Sequence, residues 1–145
     1  IDHYNALLCG FLIQFITMLV STGGNSSSQT SALVIQGMAS GEIHSGTIRR
    51  FLTREFSMAI MLAGILGVVA FGRVYFKLGV LIPSLAVSLS LGLIVLVSVI
   101  LGSCMPLILQ KLRIDPAFAA GPFLATLMDI CGLLIYTQVC MFFLG

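Results

Sequence analysis

Between residues 116 and 144 the chain runs for 29 residues with one charged side chain, Asp129. A stretch that long and apolar has few options. About 20 mostly apolar residues suffice to cross a bilayer as a helix. In lipid every backbone N–H and C=O must be satisfied internally, which leaves the helix as the form for such a run. Three further segments repeat the pattern, at about 4–20, 51–71 and 80–109. Hydrophobic residues make up 59% of the chain and charged residues 8%, with mean hydropathy +1.14, whereas soluble domains carry roughly a quarter charged residues. The expected fold is all-α, a polytopic membrane helix bundle with about four transmembrane helices in a single domain over residues 1–145.

The expected connections are 41–50 (GEIHSGTIRR), 72–79 (GRVYFKLG) and 110–116 (QKLRIDP). Four spans put the first and third on one side of the membrane. With Arg54 counted, that side holds Arg49, Arg50, Arg54, Lys111 and Arg113, against Arg73 and Lys77 on the other. Basic loops resist translocation, so the richer side is expected in the cytoplasm. Both termini then face outward. No basic region precedes the first span, and the chain opens at Ile1 without an initiator Met. It is expected to be a fragment of a longer protein with a helix before it.

Several classes of function find no support. A net charge of +2 is too small to draw nucleic acid. Cys9, Cys104, Cys131 and Cys140 form no CxxC and read as small apolar fillers rather than a disulfide framework or zinc site. No HExxH, P-loop, GxGxxG or Ser/His/Asp set occurs, and both histidines lie near membrane edges, so an enzyme is not expected. His44 reads as a solvated loop residue. Ala59, Ala63 and Gly67 lie four apart, as do Ser84, Ser88 and Gly92. Small residues at that spacing let membrane helices approach closely.

The chemistry is expected in two places. Asp129 would cost roughly 3 kcal/mol at mid-membrane unless it faced water, an ion or a partner. Helical spacing groups it with Ala125, Thr126 and Gly132, and with Tyr136 a turn further on, as a pore-lining face would be. The second place is TGGNSSSQTS, residues 22–31, flanked by apolar residues on both sides and so embedded. Gly23 and Gly24 weaken a helix by about 1 kcal/mol each relative to Ala, and Ser and Asn compete for the backbone. A broken or loosened helix is expected there, with freed carbonyls lining a watery cavity. Gly121–Pro122 is either a second break or a helix start. Glu55, beside Arg54, reads as an interfacial charge, and Asp115 as an N-cap.

One carboxylate with hydroxyls, amides and carbonyls is a hard oxygen donor set, suited to Mg²⁺, Ca²⁺ or Mn²⁺. A single acid cannot cage an ion. It can hold Mg²⁺ through its waters, and a two-fold dimer would bring a second Asp129 to a shared axis.

Two segments, TGGNSSSQTSALVIQGMASGEI (22–43) and DPAFAAGPFLATLMDICGLLIY (115–136), resemble the second and last membrane helices of the MgtE-type magnesium transporters. The resemblance covers essentially the whole chain, as helices two to five of a five-helix domain. It implies a homodimeric Mg²⁺ channel or transporter in the bacterial inner membrane, its pore between the second and fifth helices of two subunits. Asp129 would be the key ion ligand and Ala125 a carbonyl contributor. Gly23, Gly24 and Asn25 would belong to the pore-lining break, and Thr126 to the wall beside the ion. The chain departs from the family pattern at Ser27 and Ser28, and at Gly121. An exchanger coupling a divalent ion to Na⁺ or H⁺ is the alternative. A scaffold whose polar residues only join helices is the competing class.

Overall fold

The computed structural model describes residues 2–145, with side chains from Cys9 onward except at 119. It is all-helical: α1 (Asp2–Ala39), α2 (Ile48–Leu78), α3 (Leu81–Lys111), a single 3-10 turn (Pro116–Ala119) and α4 (Pro122–Leu144). Among the described residues, α2, α3 and α4 are each long and apolar enough to cross a membrane. Successive helices reverse direction, so α1 and α3 run parallel.

The central helix is α3, which packs against all three others. Among the described residues α2 approaches only α3 backbone to backbone. The seam between them is the one that the spacing of small residues implies. Ala59, Ala63 and Gly67 are buried on α2, and Ser88 Oγ donates to the Gly67 carbonyl across it at 2.7 Å. On the other flank α3 approaches α1 more closely still. A Cβ placed on Gly102 would lie 2.5 Å from the Ser27 carbonyl oxygen and 3.1 Å from Thr30 Cβ. Only glycine fits there. Deeper serines on α3 satisfy their hydroxyls within the helix: Ser90 Oγ donates to the Ala86 carbonyl and Ser98 Oγ to the Val95 carbonyl, both at 2.7 Å.

Three expectations are corrected. The polar run 22–31 does not break α1, which continues through Gly23, Gly24 and Asn25 to Ala39. Its hydroxyls bond back onto the helix, Thr22 Oγ1 to the Met18 carbonyl (2.7 Å) and Ser27 Oγ to the Gly24 carbonyl (2.9 Å). Its smallest residues are pressed against α3 and α4, and that packing outweighs weak local propensity. The expected loop 72–79 is mostly the last two turns of α2. The helix stops only at Gly79, whose left-handed φ of 66° makes the cap and whose N–H donates to the Tyr75 carbonyl. The last helix begins at Pro122, not near 116, because Gly121 takes a φ of 119° that starts a new direction, and Pro suits a first helical turn. Asp115 caps as expected, Oδ1 accepting from the Ala117 N–H at 3.0 Å.

Candidate functional site

The two motifs meet where α1 crosses α4. The helices run antiparallel, and three contacts fix their register. Tyr136 Oη donates to the Leu12 carbonyl at 2.8 Å in the buried seam. Gly132 lies against Val20, whose Cγ2 would be 3.4 Å from an added Cβ. Gly24 lies against Ala125 and Asp129: a Cβ there would stand 3.8 Å from Ala125 Cα and 4.0 Å from Asp129 Oδ1. The glycine thus lets α1 pass directly beside the carboxylate.

Gly23 turns the other way. It is buried at the junction of three helices, where a Cβ would meet Ile94 Cγ2 at 2.7 Å and Met128 Cε at 3.1 Å. Gly23 and Gly24 therefore act on different neighbours, one seating α1 on α3 and α4, the other clearing space at Asp129.

Asp129 is exposed on the bundle surface, as are Thr126 and Asn25, while Ala125 is half-buried. Thr126 Oγ1 donates to the Pro122 carbonyl at 2.8 Å, which leaves its lone pairs free to accept or coordinate. Successive helical residues turn by roughly 100°, so Ser21, Asn25 and Ser28 lie to one side of Gly24 on a single flank of α1. Together they form a strip of hydroxyl, amide and carboxylate oxygens along one side of the α1–α4 pair. Among the described residues no three His, Cys, Asp or Glu side chains gather as a metal cage. The strip can offer an ion one negative charge and neutral oxygens.

Glu55, expected as an interfacial charge near the start of the second span, is turned into the bundle. It is 7% exposed and lies on the same buried stripe of α2 as Ala59, Ala63 and Gly67. The four-residue spacing 55–59–63–67 carries that signal. On the facing helix Ser103 is 2% exposed, and its Oγ is buried with no hydrogen-bond partner among the described residues.

Such a chain is a multi-pass helical membrane protein with a carboxylate set at the crossing of two small-residue helices. Residues 16–139 match the family model described as "MgtE: Divalent cation transporter", and the chain belongs to that family. It is 34% identical to the magnesium transporter MgtE of Thermus thermophilus over 126 residues, 86% of this chain and 28% of that protein. It is 36% identical to the Bacillus subtilis protein of the same name over 123 residues, 84% of this chain and 27% of that one. The Enterococcus faecalis counterpart is 26% identical over 150 residues, 99% of this chain and 32% of that protein. The chain thus spans under a third of each relative's length. All three relatives are named as transporters, in line with the expectation of a transporter rather than an enzyme.

Proposed function

We propose that this chain is the ion-conducting membrane part of a Mg²⁺ transport protein. Two copies pair along their α1–α4 strips, and hydrated Mg²⁺ passes between them, held by Asp129 of each copy. The observation that carries the reading is the exposure of Asp129. A carboxylate facing hydrocarbon would cost roughly 3 kcal/mol, and next to it Gly24 and the flank of Ser21, Asn25 and Ser28 supply a polar surface instead of a greasy one. A symmetric partner would cover this strip and leave water and ion between the copies. Mg²⁺ dehydrates reluctantly and is held by few carboxylates through its waters, which matches one acid per chain. The Ala125 carbonyl, Asn25 and Thr126 would receive those waters, while Gly24 keeps the passage open and Gly23 seats the wall. The relatives' names support Mg²⁺ as cargo, and their organisms support a bacterial plasma membrane.

The test is Mg²⁺ uptake into proteoliposomes by the full-length protein and by Asp129→Ala, under a Mg²⁺ gradient and voltage alone. Uptake that needs neither Na⁺ nor pH gradient and disappears in the variant is the expected result. Uptake that requires a second gradient would replace the pore by an exchanger. Uptake indifferent to the substitution would remove Asp129 from the mechanism.

A further inference from the structure

We propose that the cleft between α1 and α2 binds one anionic phospholipid, with its phosphate on Arg73 and Lys77 and an acyl chain in the apolar groove below. Because α1 and α2 both lean on α3 without approaching each other, they leave a groove of about 440 Å³ between them. Its floor is Leu91 of α3, which is 4% exposed, and its walls include Phe15 and Met18 of α1 and Leu66 and Val69 of α2. Those walls suit a hydrocarbon chain; of the two polar residues that also line the groove, Thr22 already donates its hydroxyl to the Met18 carbonyl, and Gln14 is the other.

The mouth differs in kind. Arg73 and Lys77 lie on the last two turns of α2, four residues apart on one face and both exposed. Like charges at that spacing repel, and a shared phosphate relieves the repulsion. The Lys77 ammonium sits 5.0 Å from the centre of the Phe11 ring on α1. The lysine thus spans the mouth from one wall to the other. Among residues whose side chains are described, Glu42, Glu55 and Asp115 lie toward the opposite end of the bundle and Asp129 on α4, so none competes for these two cations. Position agrees with chemistry: α2 ends at Leu78, one residue after Lys77, so with α2 spanning a bilayer both basic groups would lie toward the headgroups and the groove toward the acyl chains. Basic pockets between membrane helices can bind anionic lipid headgroups, as they do on cytoplasmic faces, and the guanidinium fork adds a geometric match to phosphate.

The test is native mass spectrometry of the full-length protein incubated with phosphatidylglycerol or phosphatidylcholine of identical acyl chains. The wild type should retain phosphatidylglycerol roughly tenfold or more over phosphatidylcholine. Arg73→Gln/Lys77→Gln should erase that preference. Val69→Trp, which fills the groove, should lower retention of both lipids. Arg49→Gln/Arg50→Gln, at the other membrane face, should leave the preference intact. An equal loss in the Arg49/Arg50 variant would reduce the effect to general surface charge and overturn the site. Absence of headgroup preference in the wild type would also overturn it. So would a Val69→Trp variant that binds as before, since the groove would then be filled by protein or the phosphate held without its chain.

Discussion

The α2–α3 seam and the α1–α4 crossing are built from the same materials, and they end differently. Both bring small residues to the contact line so that backbones can close. In the first, the hydroxyl is used in the joint itself: half-buried Ser88 bonds Gly67 across the seam, and Ala63 and Gly67 on the facing helix are buried. In the second, Gly24 closes the helices beside a carboxylate that remains on the surface. Small residues by themselves make a joint. A joint becomes a candidate ion path when its edge carries a charge that the bundle leaves uncovered.

That contrast can be broken at points of decreasing consequence. Asp129→Asn keeps the size of the side chain and one acceptor oxygen but removes its charge. It should cut Mg²⁺ uptake by roughly a hundredfold, about 2.8 kcal/mol, within the range of a lost interaction with a charged group. Normal uptake by this variant would make the crossing a joint like the other. Gly102→Ala forces a methyl into the Ser27 backbone, with no flexible side chain to give way. Overpacking of this kind should cost about 2 kcal/mol, visible as a lower thermal unfolding midpoint in detergent. Asn25→Leu touches only the exposed flank, so the protein should unfold at an unchanged temperature. Its uptake should fall about tenfold, close to 1.4 kcal/mol; unaltered uptake would take Asn25 off the wall. Ser88→Ala deletes the hydroxyl bridge of the α2–α3 seam. Interhelical bonds in membranes average about 0.6 kcal/mol, so stability should drop slightly and uptake should not change. A loss of uptake there would mean that the two regions are coupled rather than distinct.

Much of this was legible in the residues. Asp129 stood out because nothing else within its apolar run is charged, and the α2–α3 seam showed because four-residue spacing survives any error in helix ends. The course of α1 did not show. Two glycines and four serines argue locally against a helix, but the facing surfaces of Ile94, Met128 and Ala125 are distant in sequence, and they are what hold the run helical. The helical state of 72–78 was hidden for a similar reason. Arg73 and Lys77 suggest solvent, yet no breaker occurs between Gly72 and Gly79, and charged side chains on a final turn can reach the interface while the backbone stays helical. The burial of Glu55 was hidden by its neighbour Arg54, which is exposed, whereas residues one apart on a helix point in different directions.

The unbroken course of α1 has a mechanical side. Its 38 residues make a rod of about 57 Å at 1.5 Å per residue, with Asn25 about 21 Å from the end at Ala39. Helices bend most readily at prolines, Gly/Ser pairs, bulges or inserted groups; α1 contains no proline, so its Gly/Ser run at 23–28, which remains helical, is where it can flex. A tilt applied at its end near residues 40–47 would therefore be carried along the helix as far as that run. α1 is a lever whose one arm ends at the membrane face and whose other carries Gly24 past Asp129. A small displacement at the basic end of the bundle would reach the α1–α4 crossing only to the extent that this run, pressed against α3 and α4, stays stiff.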